Sequence, residues 1–138
     1  MTTTYYSTVI AKKFEQYSNQ RLNLDLAVIF HLIKYFNPTK FLEFGFYEGK
    51  TMGVMIEAAT KNSTFVAVDL NFRFELFDRF YKSCLPSLGL EDLSIEFIQT
   101  DSTTYKSDVK FDFINVDGDH SYPAAFNDII NASSLISI

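Results

Sequence analysis

Short apolar runs typical of β-strands alternate with helical segments along this chain, and this alternation constrains its fold more than any other feature. Asn37-Pro38 should end one helix, because the residue before proline avoids the α region. A series of β-α units favours a parallel α/β sheet. The predicted strands are Phe41–Phe46, Phe65–Asp69, Ser94–Gln99 and Phe111–Val116. The predicted helices are Thr4–Tyr17, Arg21–Phe36, Lys50–Lys61, Phe74–Leu88 and Tyr122–Ser134.

A length of 138 residues favours one domain. We predict a single domain over 1–138, with N-terminal helices over 1–38 and β-α units over 39–138. Right-handed crossovers would arrange about four strands as an open, Rossmann-like, doubly wound and mostly parallel sheet with flanking helices. Ligands bind such sheets beyond the carboxyl ends of the strands, so polar residues there are the candidates for a functional site.

Charge and cysteine content narrow the class of protein. The formal net charge is −5 and no run of basic residues occurs, so we expect neither a nucleic-acid partner nor an anionic membrane. Cys84 is the only cysteine, which rules out an internal disulfide and a CxxC metal site. The first residues resemble no signal peptide, and the longest apolar stretch is too short and too polar to span a bilayer. We therefore expect a cytoplasmic protein.

A glycine-bearing loop follows the first predicted strand. Gly45 and Gly49 allow positive φ angles and close approach of the backbone to a ligand. Tyr47 replaces the middle glycine of a dinucleotide-binding loop and would crowd a pyrophosphate. Glu43, two residues before the first glycine, suits a cationic ligand better than a phosphate. A glycine turn that only shapes a tight join between strand and helix is the alternative.

With its Glu-x-Gly-x-Tyr-x-Gly loop, the chain resembles the class I S-adenosylmethionine (SAM)-dependent methyltransferases, and among them catechol O-methyltransferase and its relatives. SAM carries an ammonium and a sulfonium group, in keeping with Glu43. The resemblance implies that Gly45, Phe46, Tyr47 and Gly49 line the methionine part of SAM. It also implies that Thr51 holds the SAM carboxylate near the start of a helix.

Acidic residues also end the second and third predicted strands. A carboxylate at Asp69 can accept both ribose hydroxyls, and the resemblance implies this role. The resemblance also implies that Asp101 and Ser102 contact the adenine. For all three residues, capping of a following helix is the alternative.

The fourth predicted strand leads into Asp117-Gly118-Asp119-His120-Ser121-Tyr122, which is similar to a segment of sugar and macrolide O-methyltransferases. Asp117 and Asp119 supply oxygen ligands of the kind that Mg²⁺ prefers. By resemblance, Asp117 binds a metal beside the substrate and contributes to the cofactor site. His120 is the candidate general base, because its ordinary pKa lies near neutrality. The alternative is an Asx-type turn with His120 exposed.

These features predict SAM-dependent methyl transfer to an oxygen of a small molecule. The alternatives are a SAM-binding module without catalysis and an interaction protein; a nicotinamide dehydrogenase fits less well because of Tyr47. Relatives continue into a fifth strand that brings further acidic metal ligands, and this sequence reaches only Ile138. We therefore expect an incomplete Mg²⁺ site and an apolar fourth strand at an open sheet edge. Such an edge favours a homo-oligomer, a partner chain or a shortened gene product.

Overall fold

The structure is a computed structural model of the chain, and it describes residues 24–79 and 93–137. The predicted helix Thr4–Tyr17 and most of Phe74–Leu88 lie outside the described residues. The described helices are α1 (Leu24–Phe36), α2 (Lys50–Ala58), α3 (residues 74–79) and α4 (Tyr122–Leu135). The strands are β1 (Lys40–Phe44), β2 (Thr64–Asp69), β3 (Ile95–Gln99) and β4 (Phe113–Val116), with a short 3-10 turn at Ser102–Thr104.

The four strands form one parallel sheet in the order β3-β2-β1-β4. Phe41, for example, lies opposite Phe65 of β2 and Phe113 of β4. The predicted Rossmann-like α/β fold with a parallel sheet of about four strands is thus confirmed. Because all four strands are parallel, their carboxyl ends meet at one edge of the sheet.

Contacts group the chain into two compact units, and the prediction of a single domain stays a prediction. The first unit contains α1 and α2, which pack through Leu26, Ile29, Phe30 and Val54. Asn37 ends α1 as predicted: its φ of 52° is left-handed, and its N–H donates to the Ile33 carbonyl at 2.8 Å. No helix among the described residues is long and apolar enough to cross a membrane.

The second unit contains the whole sheet, the 3-10 turn and α4. Its apolar core joins strands β1 and β2 to the helix and the flanking loops, and three strand residues of this core, Leu42, Phe44 and Val68, are fully buried. β1 is buried over its last four residues, which are Glu43 and three apolar residues, as expected of a central strand in a parallel sheet. Buried residues of this core are Leu42, Phe44, Val68, Tyr105, Phe111, Ala132 and Leu135.

β4 lies at one edge of the described sheet, as predicted, and all four of its residues are partly exposed. Just before β4 the chain covers part of this edge itself. The N–H of Phe111 donates to the Leu135 carbonyl, and the N–H of Ser137 donates to the Phe111 carbonyl. Phe111 and Ile136 thereby form an isolated parallel bridge. Among the described residues, the expected open edge is therefore closed at Phe111 and open along β4.

Asp112, between this bridge and β4, ties three segments together. One carboxylate oxygen accepts from the Thr39 N–H, the Thr39 hydroxyl and the Lys40 N–H at 3.0 to 3.1 Å. The other oxygen accepts from the Ser137 hydroxyl at 3.0 Å. The hydrogen bonds from Thr39 are the main reason that the pKa of Asp112 lies below its ordinary value. Asp112 thus fixes the start of β1 against the loop before β4.

Candidate functional site

A cavity of about 360 Å³ lies within the second unit at the carboxyl ends of the strands. Loops after all four strands contribute to it, and α4 closes one side. Its volume falls in the range of small-molecule sites. It is lined by Gly45, Tyr47, Val68, Asp69, Leu70, Thr100, Asp101, Ser102, Thr103, Asp117, Gly118, Asp119, Ala124 and Asp128.

Gly45 brings the loop after β1 against the loop after β4. Its φ is +88°, and its N–H donates to the Val68 carbonyl at 2.9 Å. A Cβ at this position would lie 2.1 Å from the carbonyl oxygen of Asp117. Glycine is therefore required here for both backbone conformation and space.

Tyr47 is also left-handed, with a φ of 50°, and its half-exposed side chain reaches the cavity wall. Its neighbour Phe46 is buried and packs near Phe72 and Phe97, with ring centroids 5.3 Å away in each case. Phe46 does not contribute to the described cavity wall. Gly49 and Thr51 belong to the first unit, so their predicted contacts with the cofactor stay predictions.

Asp69 lines the cavity, but its carboxylate is already engaged. Oδ2 accepts from the N–H groups of Phe46 and Tyr47 at 2.7 and 2.9 Å, and Oδ1 accepts from the Asn71 N–H at 3.0 Å. Two lone pairs per oxygen leave one further acceptor site, on Oδ1. Asp69 therefore holds the glycine loop in place and can accept one ribose hydroxyl more readily than two. It does not cap α3, which begins at residue 74.

Glu43 lies beneath the site and is not part of the described cavity wall. Its side chain is fully buried, and Oε1 accepts from the Asn115 amide at 3.2 Å. Oε2 is buried without a hydrogen-bond partner among the described residues. Burial raises the pKa of the Glu43 carboxyl well above its ordinary value, and the charges of Asp117 and Asp69 add to this, whereas the Asn115 hydrogen bond opposes it.

The loop after β3 forms the third side of the cavity. Asp101 caps the 3-10 turn, because its Oδ1 accepts from the N–H and hydroxyl of Thr103 at 2.9 and 2.7 Å. These bonds lower the pKa of Asp101. Asp101 thus has the capping role that was given as the alternative, and it also lines the cavity.

Asp128 and Gly118 line the cavity, and neither is among the site residues predicted from the sequence. Asp128 lies on α4 and is only 1% exposed, and its Oδ1 accepts from the Ser102 hydroxyl at 2.6 Å. The sequence contains a signal for it: Asp128 shares a helical stripe with Ala124, Ala132 and Leu135. A carboxylate on a stripe of small and apolar residues is unusual, since buried charges need partners.

The loop after β4 places Asp117 at the cavity wall and His120 outside it. Their Nε2 and Oδ1 atoms are 3.7 Å apart, and the His120 side chain is 87% exposed. Asp119 accepts from the N–H and hydroxyl of Ser121 at 2.8 and 3.1 Å, which is the Asx-type turn given as the alternative. Within residues 24–79 and 93–137, no group of three or more His, Cys, Asp or Glu side chains could hold a metal ion.

A family model described as "Methyltransferase domain" matches residues 42–137, which contain every cavity-lining residue. No curated protein sequence gives a significant match.

Several solved structures share the fold at low sequence identity. The O-methyltransferase TomG from Streptomyces achromogenes, solved with SAM, is 14% identical with a TM-score of 0.61; the match covers 97% of this chain and 66% of TomG. An O-methyltransferase from Bacillus cereus, solved with S-adenosylhomocysteine (SAH), is 16% identical with a TM-score of 0.64, over 97% and 67% of the two chains. The SAH-bound methyltransferase PaMTH1 from Podospora anserina is also 16% identical, with a TM-score of 0.64, over 93% and 57%. The chain thus spans 57 to 67% of the length of these proteins.

Proposed function

Because this chain belongs to the methyltransferase-domain family, we propose that it binds SAM in the cavity at the strand ends and transfers the methyl group to an oxygen of a small molecule. The charge of the cavity carries the proposal. Five of its lining residues are aspartates, and none of the described lining residues is lysine or arginine. An acidic cavity attracts a ligand with ammonium and sulfonium groups and repels a pyrophosphate.

The predicted cofactor contacts can be divided among three of the loops. Gly45 and Tyr47 would lie along the methionine part, Asp69 would accept a ribose hydroxyl, and Asp101 and Ser102 would face the adenine. Glu43, buried below the loop, would act on the cofactor only through its surroundings. We retain Gly49 as a proposed contact of the methionine part and Thr51 as a proposed contact of its carboxylate.

The proposed reaction is an in-line displacement. The acceptor oxygen bonds to the methyl carbon as the bond from carbon to sulfur breaks, and SAH leaves as a neutral thioether. The acceptor hydroxyl gives up its proton, for which His120 beside Asp117 is the proposed base. Orientation of the two reactants would supply most of the rate acceleration.

Mg²⁺ is the second predicted cofactor, with Asp117 and Asp119 as ligands. The described side chains do not form a complete Mg²⁺ site, since they lack a third acidic partner and Asp119 is bonded within its own turn. The proposed transfer therefore includes no metal step.

Calorimetry with SAM and SAH tests the cofactor proposal. We expect binding by the wild-type chain and at least roughly tenfold weaker binding by Asp69→Ala. This variant lacks the carboxylate that accepts from the loop N–H groups and, as proposed, from a ribose hydroxyl. Asp108→Ala is the matched control, because Asp108 is exposed and lies outside the cavity wall. An absence of heat with the wild-type chain would refute the proposal.

Transfer of labelled methyl groups to a panel of hydroxylated small molecules tests the reaction. Asp117→Ala should abolish the transfer, whereas unchanged activity would remove Asp117 from the site. The second candidate function is a SAM- or SAH-binding module without catalysis, which is favoured by the position of His120, whose side chain is 87% exposed and lies outside the described cavity wall. Binding without transfer to any acceptor would support that candidate.

We further propose a homo-oligomer or a partner chain that covers the open edge of β4. Support comes from α4, where Tyr122, Phe126, Ile129 and Ile130 are 51 to 80% exposed at helical spacing. Apolar patches of this kind often mark interaction surfaces. A cytoplasmic location stays a prediction from the sequence.

A further inference from the structure

The hydrogen bond between Ser102 and Asp128 determines whether the Ser102 hydroxyl can donate a hydrogen bond to a ligand or only accept one. Both residues line the cavity, and Oγ of Ser102 lies 2.6 Å from Oδ1 of Asp128. A carboxylate has no proton to donate, so the hydroxyl must donate its single proton to Asp128.

The remaining lone pairs of the Ser102 oxygen can only accept hydrogen bonds. A free serine hydroxyl could rotate and either donate to a ligand or accept from it. With its proton held by Asp128, Ser102 instead suits a ligand N–H group and opposes a ligand carbonyl. Asp128 therefore makes Ser102 a hydrogen-bond acceptor towards a ligand.

We infer that Asp128 is a positioning residue that sets Ser102 as an acceptor for the exocyclic amino group of adenine, and so selects a 6-amino purine over a 6-oxo purine. This inference rests on the proposed binding of SAM in the cavity. In this role Asp128 acts through Ser102, although it also lines the cavity.

The backbone around Ser102 is held independently of Asp128. The side-chain amide of Asn131 donates to the carbonyls of Ser102 and Tyr105 at 2.6 and 3.0 Å, and Asp101 caps the turn. Loss of the Asp128 carboxylate should therefore free the Ser102 hydroxyl without releasing the loop.

Gly118 provides the space that Asp128 occupies. A Cβ at residue 118 would lie 2.8 Å from Oδ2 of Asp128 and 3.9 Å from the Ser102 oxygen. The first distance is shorter than real Cβ contacts, whereas the second is an ordinary van der Waals contact. Gly118→Ala should thus push the Asp128 carboxylate away from its position while leaving the hydroxyl in place. It offers a second way to disturb the same hydrogen bond without removing a charge.

The test compares the dissociation constants of SAH and S-inosylhomocysteine, in which a 6-oxo group replaces the 6-amino group. The wild-type chain should prefer SAH by roughly tenfold or more, because a site built for a donor rejects an analogue that lacks it. In Asp128→Ala and Gly118→Ala this preference should shrink by roughly tenfold, since the hydroxyl can then serve either ligand. Asn131→Ala, which weakens the loop without touching the hydroxyl, should weaken both ligands alike.

The outcomes separate the two proposals. If the wild-type chain binds neither ligand, the proposed function itself fails. If it binds both equally, or if its preference persists in a folded Asp128→Ala chain, the inference about Asp128 is overturned and the residue only ties α4 to the loop. Thermal melts monitored by circular dichroism identify an unfolded variant, and in that case the preference of Gly118→Ala decides the matter.

Discussion

Gly45, in the described cavity wall, has no room for a side chain. Its φ is left-handed, and a Cβ added there would lie 2.1 Å from the Asp117 carbonyl oxygen, so no side chain fits. The two loops that meet there both belong to the proposed cofactor site. A change at Gly45 should therefore disturb stability and binding together.

Gly45→Ala is expected to lower the free energy of unfolding by about 2 kcal/mol or more, because strain and a steric clash add. SAM binding should be lost with it. Tyr47→Gly is the matched control in the same loop: glycine tolerates the left-handed φ of 50° at that position, so this variant should fold normally. Denaturant unfolding measures both, and equal stability of Gly45→Ala and the wild-type chain would contradict the description of the loop.

Glu43 should make stability depend on pH. Its pKa is raised in the folded chain above the ordinary value of 4.5, so the folded state binds more protons than the unfolded state between these two values. Its contribution is therefore fully favourable below pH 4.5 and is lost as the pH rises through the folded pKa. We expect Glu43→Gln, which stays neutral and can still pair with Asn115, to unfold at higher denaturant concentration than the wild-type chain at about pH 8.

The same comparison at about pH 4 provides the control for Glu43. Both side chains are then largely neutral in the folded and unfolded states, so the difference in stability should nearly vanish. A difference of the same size at both pH values would show that packing, and not ionisation, separates the two chains.

The positions of the strands could be predicted from the sequence far better than the hydrogen bonds of the polar residues at the strand ends. β1 and β2 are short segments rich in apolar residues, and the glycine loop and the proline after α1 mark their neighbours, so local residue types suffice. The engagement of Asp69 with the loop amides depends on two strand ends meeting in space. The large apolar residues Tyr122, Phe126, Ile129 and Ile130 of α4 are exposed, so they predict the wrong buried face for this helix. Only the weaker stripe of Ala124, Ala132 and Leu135 marks the face on which Asp128 lies.

Asp112 offers a test of how the strands are joined. Asp112→Ala removes four accepted hydrogen bonds at a largely exposed site, and we expect a loss of about 1 kcal/mol in the free energy of unfolding. Because the folded pKa is lowered from 3.8, the stabilisation is present above that pH and is lost as the pH falls through the folded value. Asp108→Ala, four residues earlier and exposed, should change the midpoint of urea unfolding little.

At the scale of the whole molecule, the open β4 edge and the exposed apolar face of α4 predict that copies of this chain associate. Multi-angle light scattering should give a mass of at least twice that of one chain. Ile129→Glu, which places a charge on the apolar face, should shift the protein towards the monomer, whereas Asn127→Glu on the same helix should not. A monomeric wild-type chain at tens of micromolar would refute self-association and leave only a different partner chain.

The bridge between Phe111 and Ile136 has a consequence for protein engineering. It starts a parallel pairing beside β4 in one defined register, with hydrogen bonds on both sides of Phe111. A peptide fused after Ser137 would enter this pairing already aligned with the open strand. The sheet could then be extended by design, and the added strand would carry new side chains to the rim of the cavity.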